Sequence, residues 1–282
     1  MWINILLAAL LASTSAQAAS PSLTDAQAIP HVGEAARETY VGGFLQADLH
    51  RAFAIAPGGA WGWAAEQVSA DTALAVALDA CGKHSEIPCV PYAVDEQRVF
   101  DAVSWATLWG PYKNRSQAAQ APTGKKRGMR FPDLAFADAN GKPFKLAALR
   151  GKAVVVHFWG SWCNPCKREL PDLQKLVAQL KGSQDIAFIL LPVRESTAAA
   201  RRWLAAQQLD LPLYDSGLKG SEDEYLKLAG GGKIRDRDIA MVFPTTYVLD
   251  KHGMVVFSHA GPLENWLQYA PFLHDVVGKS GK

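Results

Sequence analysis

The sequence contains 282 residues, which allows two domains, and its formal net charge at pH 7 is only +2. The basic residues are dispersed, so the composition does not indicate a nucleic-acid partner. After residue 19, no stretch approaches the roughly 20 consecutive apolar residues that a membrane-spanning helix needs.

The first residues have the features of an export signal. Residues 5–12 are apolar, and Ala16-Gln17-Ala18 has the small-residue pattern that precedes a cleavage site. We therefore predict a signal peptide over residues 1–18, cleaved before about Ala19, and a periplasmic mature protein. No Lys or Arg precedes the apolar stretch, which departs from the usual pattern. Retention of this segment as an uncleaved anchor stays open, although the apolar stretch is short for a membrane span.

Residues 36–110 are predicted to form a small α+β domain of unknown function. The mostly apolar runs 51–56 and 90–94 have the composition of strands. Between them, a helix is predicted to begin after the capping residue Ser69 and to end at Gly82. Nothing in this segment indicates an activity.

The four cysteines of the chain divide into two local pairs, which suits an oxidising compartment. Cys81 and Cys89 form the first pair, and their spacing matches neither a zinc motif nor an exchange motif. We predict a structural disulfide, whose closure of a short loop would stabilise the fold by roughly 2.5 kcal/mol. The alternative is that this pair exchanges with Cys163 during turnover.

Residues 111–130 are predicted to be a basic linker, because they are rich in Gln, Ala, Pro, Gly and Ser and contain no acidic residue. Contact with anionic lipid or with the more acidic domain before it is one interpretation, and a solvated linker is the other. The basic residues of this stretch are Lys113, Arg115, Lys125, Lys126, Arg127 and Arg130.

A Cys-Asn-Pro-Cys motif closely follows the apolar run 153–159, which is typical of a strand that leads into a helix. Because a helix N-terminus stabilises an anion, Cys163 is predicted to be the attacking thiolate and Cys166 the buried resolving thiol. A zinc site would need further ligands, and covalent haem attachment would need a histidine where Lys167 stands. The motif therefore predicts thiol–disulfide exchange, with no cofactor beyond the cysteine pair and no metal.

Strands and helices alternate from residue 153 onward, which predicts a central sheet covered on both faces. Pro171 is expected to kink the first helix without ending it. The stretch 220–237, which contains consecutive glycines, is predicted to form a helical turn and a surface loop. The predicted strands are 153–159, 187–193, 245–249 and 254–259, and the predicted helices are 164–181, 197–208 and 263–277.

Several motifs around the cysteine pair and the late strand match those of a known superfamily. They are Asn140-Gly141-Lys142, the stretch 146–151, the stretches 157–163 and 167–171, and the stretch 244–250 before Gly253. On these residues the chain resembles the secreted TlpA/ResA/DsbE-like branch of the thioredoxin-like superfamily, over about residues 131–278. The resemblance implies a thioredoxin-like α/β fold for residues 131–282, with a central mixed sheet flanked by helices, preceded by the small disulfide-stapled α+β domain.

In that family the proline that opens the late strand is cis and faces the disulfide. The resemblance therefore implies a cis Pro244 in the substrate groove, between Phe243 and Thr245. It would leave neighbouring backbone free to pair with a substrate segment and would hinder metal capture by the dithiol. Trp162 and Pro165, in the cysteine motif, are expected to support the site. A trans proline at a strand edge is the alternative interpretation.

Two titratable residues near the cysteines are candidates for proton transfer. Glu169 lies one helical turn after Cys166 and matches a glutamate that the family places beside the active site, so it could relay the proton of Cys166. The alternative is a solvated glutamate. His157 stands where thioredoxin itself has a buried acid, so it is either a relay or a hydrogen-bonded strand histidine.

Together, the residues and the resemblance favour an exported protein-disulfide oxidoreductase. The family analogy implies a reductive role, such as keeping apocytochrome or copper-site cysteines reduced, with electrons from a membrane thiol–disulfide donor. The expected partner is a client protein with a disulfide or cysteine pair, and membrane contact is left open. A copper-binding or copper-delivery protein that uses the same dithiol is the alternative function. A scaffold whose first domain recruits a client is a third possibility.

Overall fold

The computed structural model describes residues 21–220 and 224–280. Within these residues the chain forms three four-stranded sheets. None of the helices in these ranges is both long enough and apolar enough to cross a bilayer. The predicted signal peptide lies outside the described residues.

The N-terminal half forms one sheet with helices packed against it, in agreement with the predicted α+β content. Its elements are α1 (Glu34–Gly42), β1 (Ala52–Ile55), β2 (Trp61–Ala64), α2 (Ala70–Gly82), β3 (Val90–Val94), β4 (Gln97–Arg98) and α3 (Ala102–Trp105). The strand order is β2-β1-β3-β4, and all pairs are antiparallel.

Helix α2 begins and ends where the sequence indicates. The Ser69 hydroxyl accepts a backbone N–H of the first turn at 3.1 Å, which satisfies one of the free donors of the helix. The helix ends at Gly82, and the disulfide between Cys81 and Cys89 ties its last turn to the residue before β3, with Cα atoms 6.2 Å apart. The predicted pairing of these cysteines is therefore present in the structure.

Strand β2 was not predicted, because its Trp-Gly-Trp-Ala sequence is short and has a glycine inside it, which weakens a strand. It pairs with β1 along its whole length, and α2 lies directly on it. A Cβ atom at Gly62 would collide with the backbone nitrogen of Cys81, so glycine is required for this close approach.

The segment 111–130 contains a short helix, α4 (Arg115–Gln120), and packs against the C-terminal half. A capping box between Asn114 and Gln117 starts the helix, which explains how a stretch rich in Gln and Ala becomes helical. The helix packs on Met254 of the C-terminal half. The division of the chain at residues 110 and 131 remains a prediction.

The C-terminal half contains two sheets. Its elements are β5 (Leu134–Ala137), β6 (Pro143–Lys145), β7 (Ala153–Trp159), α5 (Asn164–Gln179), β8 (Ile186–Pro192), α6 (Thr197–Ala206), β9 (Tyr225–Leu228), β10 (Lys233–Arg235), α7 (Asp236–Ile239), β11 (Thr245–Leu249), β12 (Val255–Ala260) and α8 (Ala270–Lys279).

The main sheet has the order β12-β11-β7-β8. Strands β7 and β8 are parallel, whereas β11 is antiparallel to both of its neighbours. Apolar side chains fill both faces of the sheet. This arrangement is a thioredoxin-like fold, as the resemblance implied. The bounds of β7 and β11 agree with the prediction, and those of β8, β12, α5 and α6 agree within two residues.

The predicted helix 263–277 is wrong at its start, because α8 begins only at Ala270. Asn265 adopts a left-handed conformation with φ of 56°, and a short 3₁₀ turn follows it. Carboxylates on α5 accept the N–H groups of Leu263 and Trp266, at 2.8 and 2.7 Å. These side-chain bonds hold the segment as a loop before the helix can begin.

The second sheet of this half has the order β10-β9-β5-β6 and was not predicted. The expected surface loop within 220–237 is wrong, because β9 and β10 form a hairpin there. Its turn contains Gly231 and Gly232, both with positive φ. A helical turn, α7, begins only at Asp236, at the end of the predicted stretch, and extends two residues beyond it. Strands β6, β9 and β10 have only three or four residues and several exposed side chains, so none of them contains an apolar run that the sequence could reveal.

The two halves share one hydrophobic core. The rings of His31 and Tyr269 stack at 3.9 Å, and those of Trp109 and Phe272 lie 4.4 Å apart. The Glu264 carboxylate accepts the first N–H of α1 at 3.0 Å, so a residue of the C-terminal half caps a helix of the N-terminal half.

Candidate active site

The cysteine motif lies at the junction of β7 and α5. Strand β7 ends at Trp159, a turn follows, and Cys163 is the N-cap residue of α5. The two cysteines are disulfide-bonded, with Cα atoms 5.3 Å apart, and the Cys163 sulfur accepts the Cys166 N–H at 3.2 Å. Cys163 is 5% exposed and Cys166 is fully buried. Cys163 therefore lies at the helix N-terminus, where free N–H groups stabilise a thiolate.

The turn before Cys163 is held by the segment that follows β8. The Glu195 carboxylate accepts both the N–H and the hydroxyl of Ser161, at 2.6 and 2.5 Å. The Trp162 indole donates to the Val193 carbonyl at 2.9 Å. These bonds fix the backbone on the approach to the cysteine.

The peptide bond between Phe243 and Pro244 is cis, as the resemblance implied. Thr245 begins β11 and pairs with Phe158 near the end of β7, which places the proline at the same edge of the sheet as the cysteines. The Pro244 carbonyl accepts the N–H of Gly261 at 2.8 Å. The proline and the cysteine motif therefore border the same site.

Arg194 joins the cysteine motif to the proline segment, and the sequence did not reveal it. Its guanidinium lies 4.9 Å from the centre of the Phe243 ring and 5.9 Å from that of the Trp162 ring, within cation–π range. It is ion-paired to the buried Asp236 at 3.0 Å. The only available signal was the position of Arg194 just after β8, at the sheet edge that carries the cysteines.

His157 and Glu169 form a buried pair beneath the cysteine motif. His157 Nε2 and Glu169 Oε1 lie 3.2 Å apart, which is ion-pair distance, although the angle does not make a hydrogen bond. His157 Nδ1 lies 3.0 Å from the Thr246 hydroxyl, and Glu169 Oε2 accepts the N–H of Leu263 at 2.8 Å. Glu169 is 5% exposed, so the alternative of a solvated glutamate is wrong. Its carboxylate lies one helical turn beyond Cys166.

An apolar surface adjoins the cysteine motif and the proline. Trp162 is 45% exposed, Val242 is 51% exposed and Met241 is 75% exposed. The rings of Trp162 and Phe243 contact each other edge to face at 5.4 Å. Large exposed apolar residues in one place mark an interaction surface more often than scattered ones do.

The structure thus brings together all the residues predicted for the exchange site, including Pro165 in the first turn of α5. The disulfide between Cys81 and Cys89 lies in the N-terminal half, and its exchange with Cys163 remains a prediction.

Residues 126–268, about half of the chain, match the Redoxin family. A thiol-disulfide oxidoreductase ResA of Bacillus cereus is 29% identical over 146 residues, covering 50% of this chain and 76% of that protein. ResA of Bacillus subtilis (strain 168) is 30% identical over 129 residues, covering 46% of this chain and 64% of that protein, which is less than two thirds of its length.

Among solved structures, a putative thiol:disulfide interchange protein DsbE from Chlorobium tepidum is 21% identical, with a TM-score of 0.39, covering 56% of this chain and 98% of that one. The family match spans the cysteine motif, the buried carboxylate and the cis proline. The chain therefore belongs to the Redoxin family, and its fold is thioredoxin-like.

Proposed function

We propose that the protein is an exported thiol–disulfide oxidoreductase that acts on partner proteins through Cys163 and Cys166. The observation that carries the proposal is the N-cap position of Cys163, with Cys166 buried one turn behind it. The first position favours a reactive thiolate, and the second keeps the resolving thiol away from competing reagents.

In the reductive direction, the Cys163 thiolate attacks one sulfur of a client disulfide. A mixed disulfide forms and the other client sulfur leaves as a thiolate. The Cys166 thiolate then attacks Cys163, which closes the intramolecular disulfide and releases the client as a dithiol. Two electrons pass from the enzyme to the client, and a membrane thiol–disulfide donor restores the reduced enzyme.

Cys166 must lose a proton before it can attack. Glu169 and His157 are the buried titratable groups beneath the motif, in contact with each other. We propose that Glu169 accepts this proton and that His157 holds the carboxylate in place. The Thr246 hydroxyl in turn fixes the histidine ring.

The cis Pro244 and the adjoining apolar surface are proposed to receive an extended client segment. Trp162, Val242 and Met241 offer exposed apolar contacts next to the cysteines. Arg194, locked to Asp236, keeps the two aromatic residues of this surface in contact. The name of the ResA relatives supports the reaction class, and the predicted signal peptide supports the periplasmic location.

Trapping in the periplasm tests the proposal. A Cys166→Ala variant retains the attacking thiol but cannot resolve the mixed disulfide, so it is expected to accumulate client proteins that a reductant releases. The matched Cys163→Ala/Cys166→Ala variant is expected to capture none. Stoichiometric Cu(I) binding by the wild type without reduction of insulin disulfides would contradict the proposal and favour the copper-delivery alternative.

A further inference from the structure

A basic cavity lies at the end of the main sheet opposite the cysteines. Its volume is about 620 Å³, within the usual range of ligand pockets. Arg150 and Gly151 precede β7, and Lys251 and His252 belong to the turn between β11 and β12, whereas Cys163 follows the other end of β7. The four cations of the basic cavity are Arg115, Arg130, Arg150 and Lys251.

Backbone hydrogen bonds fix the segments that carry three of these cations, Arg130, Arg150 and Lys251. The N–H of Gly151 donates to the Lys251 carbonyl at 2.9 Å, and the N–H of Phe131, which follows Arg130, donates to the Gly253 carbonyl at 3.0 Å. The cations therefore converge because the fold places their backbones together.

The Arg150 guanidinium lies against Gly253, in space that any larger residue at position 253 would fill. Gly253 has a φ of +73°, and a Cβ atom there would overlap the guanidinium. The guanidinium donates to the His252 carbonyl. Partial burial lowers the pKa of Arg150, and the neighbouring Arg130 lowers it further. Arg150 is thus held against a turn, close to another positive charge.

The charge of the cavity is not neutralised by a direct ion pair. Among the described residues, no carboxylate lines the cavity, and none of its four cations lies within 4.0 Å of a carboxylate oxygen. Asp133 and Asp250 act on Arg150 electrostatically from outside the lining. One oxygen of Asp250 accepts the N–H groups of His252 and Met254.

We propose that the basic cavity binds a phosphate group, either free or carried by a phospholipid headgroup. Guanidinium groups present paired donors that match phosphate oxygens, and an anion placed among converging cations relieves their mutual repulsion. Because the cavity and the cysteines lie at opposite ends of β7, an occupant here leaves the exchange site open to a client.

The test compares two double variants of the full-length protein. Arg130→Gln/Lys251→Gln removes two positive charges from the cavity. Lys227→Gln/Lys233→Gln removes the same charge from the exposed hairpin of β9 and β10. Inorganic phosphate is titrated calorimetrically, vesicles of phosphatidylglycerol or phosphatidylcholine are used in sedimentation, and thermal unfolding checks that both variants are folded.

We expect saturable binding by the wild type that weakens about tenfold or more in the cavity variant and stays unchanged in the hairpin variant. Binding of inorganic phosphate identifies free phosphate as a sufficient ligand. Binding only to phosphatidylglycerol vesicles identifies the headgroup of a lipid surface as the source. No saturable binding of either probe, or equal weakening in both variants, would overturn the proposal.

Discussion

The two disulfides of the molecule occupy opposite ends of helices. Cys163 is the N-cap of α5, whereas Cys81 lies in the last turn of α2. A helix N-terminus carries partial positive charge and free N–H groups, and a C-terminus carries the opposite charge and free carbonyls. A thiolate is therefore stabilised at Cys163 and disfavoured at Cys81. The comparison shows how one bond type can serve for exchange in one half and for stability in the other.

Replacing Cys163 by serine tests whether the Cys163–Cys166 pair carries out exchange, and it has the largest expected effect. Serine keeps the size of the side chain but removes the nucleophile, so insulin-disulfide reduction should fall by at least about a thousandfold. The control is the double variant Cys81→Ser/Cys89→Ser, which should retain most of the wild-type rate. Comparable losses in both would mean that the N-terminal cysteines take part in turnover.

Lowering the pH tests the contact between the two halves, because His31 is buried there. Burial lowers the pKa of His31 from 6.5 to about 3, so the folded protein keeps this ring neutral. Below pH 6.5 the unfolded chain binds a proton that the folded protein does not. The free energy of unfolding should therefore fall as the pH drops from 6.5 towards 3, by up to about 4 kcal/mol from this residue.

Chemical denaturation at several pH values checks this expectation. His31→Asn should flatten the dependence, because asparagine tolerates the left-handed backbone found at this position, with φ of 64°. The exposed His84 offers the matched control, and His84→Asn should leave the slope unchanged. An equally steep slope in His31→Asn would show that other groups cause it.

Removing the N-terminal disulfide tests whether the Cys81–Cys89 pair stabilises the fold. Cys81→Ser/Cys89→Ser should lower the free energy of unfolding by about 2–3 kcal/mol, because the unfolded chain regains the freedom of an open loop. Urea denaturation of the variant beside the wild type, under non-reducing conditions, measures the difference. Unchanged stability would mean that packing between α2 and β2 suffices.

A fourth prediction distinguishes Glu169, the proposed proton acceptor, from a similar carboxylate on the same helix. Glu169→Gln preserves the side-chain shape and an acceptor for the N–H of Leu263, but cannot take a proton. Release of the mixed disulfide at neutral pH should slow about tenfold or more, with unchanged alkylation of Cys163. Stopped-flow measurement of client release, over a range of pH, gives the rate.

Asp172→Asn is the matched control for that variant, because Asp172 also accepts a backbone N–H of the following loop, that of Trp266, at 2.7 Å. Asp172→Asn should leave the pH dependence of the release rate unchanged. If both variants slowed release equally, loop anchoring would explain the effect and proton transfer would not.

Much of the exchange site could be predicted because it depends on local sequence. The buried run of β7 leads directly into the cysteine motif, and β11 begins directly after Pro244, so neighbouring residues define both elements. The position of Glu169 follows from the helical repeat. Burial of this residue against His157 could not be derived, because it depends on how the helix packs on the sheet.

The remaining features depend on contacts between distant residues. Arg194 and Asp236 are 42 positions apart, and β5 pairs with β9 although β7 and β8 lie between them in the sequence. Strands β9 and β10 have only four and three residues, so the alternation of exposed and less exposed side chains along them is too short to predict a strand from the sequence. Strand β2 has a glycine at position 62 because helix α2 approaches it too closely for a side chain.

Leu263 and Glu264 are neighbours in the chain that bond to different parts of the molecule. The backbone of Leu263 is bonded to Glu169 beside the cysteines, and the side chain of Glu264 is bonded to the first turn of α1. A change in the charge of Glu169 would therefore alter its hydrogen bond with the N–H of Leu263. This bond lies one peptide unit from the contact between Glu264 and the N-terminal half. A single peptide unit thus connects the buried carboxylate to the joint between the two parts of the chain.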